Sequence, residues 1–334
     1  MMEGGADPLS QADRMREITR RALHAGAPAH APAKGSKNRH GGMALAALGA
    51  LLVLIVAWLV LKPVASPLAG IRSADAADED GLLATPDDAV HLFRLRPAPT
   101  VAVLTFPSLT AQARALNRIG AFVEKAGAPH DRVLSDTEMT SLIQQDRETA
   151  ENFYYGHDYR MEDVRRFFAA AARQGLPLHP EEAALRAMLD REAAAHPAPD
   201  ALISLPPISA AEQIDPAARA TILRHEISHG VYFTDAAYAA YTRHFWSSTL
   251  TEDQRAHFRT MLAGQGYDVT NEDLVGNETQ AYLVHTPDPR YFSATAVGMP
   301  IEDVARLRLA FVACMSPGWL RERTSGSSAE CRHE

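Results

Sequence analysis

The order of apolar and polar positions divides the chain into unequal parts. From Met43 to Leu61 every residue is apolar or glycine, a run of 19 that can cross a hydrocarbon core of about 30 Å as one helix. A soluble helix of that length normally keeps polar residues on one face, so the run reads as a transmembrane helix. The Ala-, Gly-, Pro- and His-rich residues 1–42 hold only one stretch with helical capacity, Asp13–His24, and read as a disordered tail. Residues 62–89, with Pro63, Pro67, Pro86 and the acidic Asp78-Glu79-Asp80, read as a solvated linker. The expected folded domain is therefore 90–334.

Within that domain the hydrophobic period changes repeatedly. Thr100–Phe106 is β-branched and apolar between Pro99 and Pro107, the pattern of a buried strand, and Ala201–Leu205, closed by Pro206-Pro207, is a second. Spacings of three and four predict helices over 109–126, 161–174 and 179–195, and Ser135 with Glu138 forms a capping-box start for another. Asp215-Pro216 is a helix start, Asp as N-cap and Pro at the first helical position, and Gly230 is the expected stop. Further helices are expected at 235–246, 251–264, 271–286 and 301–314. The class is α+β, mostly helical, with a small sheet ahead of a helical C-terminal part.

Charge adds orientation. Seven Lys/Arg and four acids lie in residues 1–42, against one Arg and six acids in 63–89, so the positive-inside rule places the N-terminus in the cytoplasm and the domain outside. A cleaved signal peptide is the competing reading, but its basic region and apolar core would both be unusually long. The net charge of −8 gives no basic field for a nucleic-acid backbone, so no nucleic-acid partner is expected. Cys314 and Cys331 either form one bridge in an oxidising compartment or remain separate, Cys314 being a buried small hydrophobe in an apolar run.

The chemistry concentrates in His225-Glu226-Ile227-Ser228-His229. On a helix, residues i and i+4 share a face, so both imidazoles can reach one cation while Glu226 lies about 100° round and can serve as a base. Ala220, Leu223 and Ile227 fall on one side of that helix; Ala218, Ile222 and the motif residues fall on the other. A second dense cluster, Tyr154-Tyr155-Gly156-His157-Asp158-Tyr159, is a glycine turn loaded with aromatic and ionisable groups, readable as cleft lining or as packing.

Through His225, Glu226 and His229, and through the order of strand 201–205 then motif helix, the chain resembles the zincin metallopeptidases. The resemblance implies a Zn2+ cofactor, a peptide or protein substrate, His225 and His229 as ligands and Glu226 as general base and acid. A catalytic zinc takes three protein ligands, and Glu278, 49 residues past His229 on an expected helix, matches the gluzincin branch. Asp235, at metzincin spacing, is the rival, but Tyr232 stands where that branch has Gly; His244 and His285 complete the alternatives. The chain departs from the thermolysin-like pattern at Tyr282, where an acid that steadies a ligating His is usual. Tyr282 or His285 is then a candidate donor to a developing oxyanion, with ordinary packing as the bland reading of each. The resemblance covers roughly 70 residues around the two motif helices. It leaves three functions open: a membrane-anchored zinc peptidase, a zinc-holding binding or structural module, and an amidohydrolase of cell-wall peptides.

Overall fold

In the computed structural model, which describes residues 75–324, a five-stranded mixed sheet has helices packed on both faces. In chain order the elements begin β1 (Asp75–Ala77), α1 (Glu79–Leu83), β2 (His91–Leu95), β3 (Ala98–Thr105), α2 (Leu109–Val123) and α3 (Asp136–Gln145). Next come β4 (His157–Arg160), α4 (Met161–Gln174), α5 (Pro180–Ala195) and β5 (Ala201–Leu205). The rest is helical: α6 (Pro216–Thr234), α7 (Ala236–His244) continuing into a π-helical turn (Phe245–Thr249), α8 (Glu252–Gly264), α9 (Glu272–His285), α10 (Ala294–Val297), α11 (Ile301–Cys314) and α12 (Trp319–Glu322). The spatial strand order is β1-β2-β3-β5-β4, with β1/β2 and β3/β5 parallel and the other two pairs antiparallel.

The continuous apolar runs of β3 and β5 follow from burial on both faces. Val101 and Val103 with Ala201, Ile203 and Leu205 join a core with α6 and the later helices, while Ala102, Leu104 and Leu202 join a second core with α2, α4 and α5. Register Val103↔Ile203 keeps like faces together across the parallel pair. The expected caps are present: Ser135 and Glu138 form a reciprocal capping box, and the Asp215 carboxylate accepts from Ala218 N at 2.7 Å.

Three expectations are corrected. Residues 75–89 are not linker: β1 extends the sheet, and α1 tucks Leu82 and Glu79 into the domain, where Glu79 pairs with Arg224 and Arg323. Gly230 does not stop α6, which continues to Thr234. A Cβ at 230 would stand 2.8 Å from Val101 Cγ1, so this glycine is there to let the helix lie close on β3. The polar stretch 157–160, read as part of a glycine turn, is edge strand β4, too short and too polar to show a strand period.

The apolar run 43–61 and the tail 1–42 lie outside the described residues; among those described, no helix is long and apolar enough to cross a membrane. Cys314 is disulfide-bonded, and the chain has one other cysteine, at 331.

Candidate metal centre

Helix α6 enters under its Asp215 cap and carries His225, Glu226 and His229 beneath the sheet, where the side chain of the first histidine is 12% exposed and the other two residues are buried. Helix α9 packs across it, with Ala281 fully buried and Gln280 Nε2 donating to Ser228 Oγ at 3.0 Å. This crossing brings Glu278, only 1% exposed, to the two imidazoles. His225 Nε2 and His229 Nε2 stand 3.0 Å apart, and Glu278 oxygens lie 3.6 Å from the first and 3.5 Å from the second. Four-coordinate binding with bonds of about 2.0–2.1 Å separates tetrahedral donors by roughly 3.3 Å, so this set fits a small divalent cation.

Protonation agrees with that fit. Thr286 spends its hydroxyl hydrogen on Ala281 O at 2.9 Å, so at 2.9 Å from His225 Nδ1 it accepts the ring N–H. In a neutral ring that leaves Nε2 a lone pair aimed at the cluster. Burial keeps both rings neutral, pushing His225 down to about 3 and His229 down to about 4. Glu278 Oε2 is buried without a hydrogen-bond partner, an arrangement costly for an isolated carboxylate and natural for a ligand. His225, His229 and Glu278 can thus hold a metal ion.

Glu226 sits beside the group, 5% exposed, with Oε2 unpartnered. Burial, then the charges of Glu278 and Glu124, hold its carboxyl well above the usual carboxylate range. Above it lies Gly156: a Cβ there would stand 2.0 Å from Glu226 Oε1, so only glycine leaves room for the carboxylate. Two residues on, Asp158 Oδ2 stands 3.8 Å from His229 Nδ1, beyond hydrogen-bond reach, and the Asn277 side chain also acts on the His229 ring. The Tyr154–Tyr159 cluster therefore forms a wall of the site.

The remaining candidates separate. Tyr282 packs its ring edge against His225, centroids 4.7 Å apart, and Tyr267 lies next to its hydroxyl. His285 instead shares its Nε2 with the Tyr238 hydroxyl at 3.1 Å. Asp235 is exposed and caps α7 through Ala237 N and Tyr238 N, and His244 is exposed, so neither joins the group. Glu124, Tyr267 and Thr286 reach the site without any signal in the sequence; Gly156 and Asp158 were visible only as members of a dense cluster.

Comparison of the chain with family models, with curated proteins and with solved structures finds no match.

Proposed function

We propose that the chain is a membrane-anchored, zinc-dependent metallopeptidase whose domain faces outward and hydrolyses peptide bonds. The convergence of His225, His229 and Glu278 from two crossing helices, with an unpartnered Glu226 oxygen beside them, carries the reading. The two-nitrogen, one-carboxylate set suits zinc, and also cobalt or manganese. Bound there, zinc supplies Lewis-acid polarisation of a carbonyl and acidifies a water. Glu226, its proton affinity raised by burial, is suited to take a proton from the attacking water and return it to the leaving nitrogen. Tyr282, against His225, is the better placed candidate for donating to the oxyanion, since His285 is engaged by Tyr238. Thr286 holds the His225 ring from behind, and Asn277 bonds the His229 ring, with the Asp158 carboxylate facing it at 3.8 Å.

The test is Glu226→Gln: zinc should remain at one per chain while hydrolysis of broad peptide libraries is lost. A zinc-loaded wild type that cleaves nothing in such libraries overturns the reading. One observation favours the zinc-holding structural module instead, the burial of Glu226 under Gly156, and that wild-type outcome would select it.

A further inference from the structure

Four carboxylates, Glu124, Asp158, Glu226 and Glu278, are each more than nine-tenths buried around the candidate metal centre. With the histidines neutral, a single divalent ion balances two of these charges. The nearby cations, Lys125 toward Glu124 and Arg160 toward Asp158, make their direct pairs elsewhere: Lys125 with Asp146 at 2.7 Å, and Arg160 with Asp273 while stacking over Phe233. The backbone N–H of Glu124 donates to Gly120 O at 3.0 Å, while its carboxylate makes no hydrogen bond or ion pair among the described residues.

The fold aims Glu124 inward. It follows the last turn of α2, one turn beyond Gly120, and that helix face is covered by Tyr154 and Tyr159, whose ring and hydroxyl atoms lie 3.0 Å from a Cβ built at 120. The next residue, Lys125, forms an antiparallel bridge with Tyr267, and Ala126 N donates to Gly266 O at 3.1 Å. Glu124 is thus held between the Tyr154 wall and the Tyr267 side of the centre. Tyr154, partly buried as a residue, adds a buried hydroxyl with no partner of its own. Burial, then the charge of Glu278, hold the Glu124 carboxyl well above its ordinary range despite the opposing charge of Lys125, a penalty that a cationic partner in direct contact would relieve.

We propose that Glu124, with the Tyr154 hydroxyl, forms a subsite for a primary ammonium group of the substrate beside the metal centre; the proposal rests on the peptidase reading. A second small metal ion is the poorer occupant, because it needs three convergent donors and the described residues hold one such group, His225, His229 and Glu278. An ammonium carries three N–H donors and bridges acceptors spaced more widely. Its source is either the free amino terminus of a peptide or a lysine side chain, and the two differ in where the charge sits relative to the scissile bond.

The test uses the zinc-loaded full chain in detergent and calorimetric titration at pH 7 with leucine amide, N-acetyl-leucine amide and N-acetyl-lysine amide. Wild type should bind an ammonium ligand about 10- to 100-fold more tightly than N-acetyl-leucine amide, the range of a charge-assisted contact. Preference for leucine amide assigns a peptide amino terminus; preference for N-acetyl-lysine amide assigns a lysine side chain. Glu124→Gln should remove most of the preference and leave both the affinity for N-acetyl-leucine amide and the zinc content unchanged. Equal affinities of the wild type for all three, or a preference that survives Glu124→Gln, overturns the subsite. Wild type alone suffices for the first outcome, should the variant fail to fold. Zinc stoichiometry separates the two readings: a chain that discriminates without holding zinc keeps the subsite and sinks the peptidase, and a zinc-loaded chain that does not discriminate sinks the subsite alone.

Discussion

Replacing Gly156 by Ala adds a single methyl group, and the structure says where it goes. The new Cβ would lie 2.0 Å from Glu226 Oε1, 2.5 Å from Cδ and 2.9 Å from Cγ. Reaching a separation that carbon and oxygen tolerate, about 3 Å or more, moves the carboxylate by at least about 1 Å. A bare rotation of the end group does not suffice, because Cγ is also too near and the side chain is 5% exposed. Misplacement of a catalytic group by about 1 Å costs about 100-fold, equivalent to about 2.7 kcal/mol of barrier; complete loss of the base sets an upper range of about 10²–10⁴. No positive φ is involved at 156, so the effect is steric and local. The assay is hydrolysis of a fluorogenic peptide library by zinc-loaded protein, with metal content and melting temperature measured on the same sample. We expect one zinc per chain, a folded protein and a rate about 100-fold down. Gly264→Ala, where a Cβ meets nothing within 4 Å, is the control and should leave the rate unchanged. A Gly156→Ala protein within about threefold of wild type at full zinc loading would refute the placement of Glu226 as the proton-transfer group.

Glu278→Ala should lose tightly held zinc, whereas Asp235→Ala should keep it and lose about 1 kcal/mol of stability with the α7 cap; metal analysis and denaturant titration on both proteins check this, and full zinc in Glu278→Ala would remove the third ligand. Gly230→Ala sets a helix-propensity gain of about 1 kcal/mol against overpacking on Val101 worth about 1–3 kcal/mol, so the melting temperature should fall; a rise would mean that α6 and β3 separate more easily than their 2.8 Å approach suggests. His157 is buried between Ser204 at 2.9 Å and Asn117 at 3.2 Å, and burial lowers its pKa from 6.5 to about 3. Its folded value lies below its unfolded one, so its contribution is full above about pH 6.5 and falls by about 1.4 kcal/mol per unit as pH drops toward 3. Denaturant midpoints between pH 6 and 4 should therefore slope less steeply in His157→Gln, and an unchanged slope would place the ring's protonation elsewhere.

Local chemistry alone determined a good part of this protein. The Asp215 cap, the Ser135–Glu138 box and the apolar runs of β3 and β5 were legible because each is a short-range pattern: a cap bonds within one turn, and a doubly buried strand is apolar at every position. The i, i+4 histidines were legible for the same reason, since helical periodicity puts them on one face whatever surrounds them. Tertiary structure decided what sequence distance hides. Glu278 prevailed over Asp235 because α9 crosses α6 at Ala281, while Asp235 is spent on the next helix's first turn. Gly230, a stop signal by propensity, is interior because the close approach to Val101 needs a residue without a Cβ. Asp75–Leu83 looked like linker because its acids and small residues carry no hydrophobic period, yet parallel pairing with β2 and two arginine partners for Glu79 fold it in. Glu124, Asp158 and Tyr267 lie far apart in the chain and meet at the centre only when the sheet and its helices assemble around it, because convergence of that kind is a property of packing and leaves no mark on local composition.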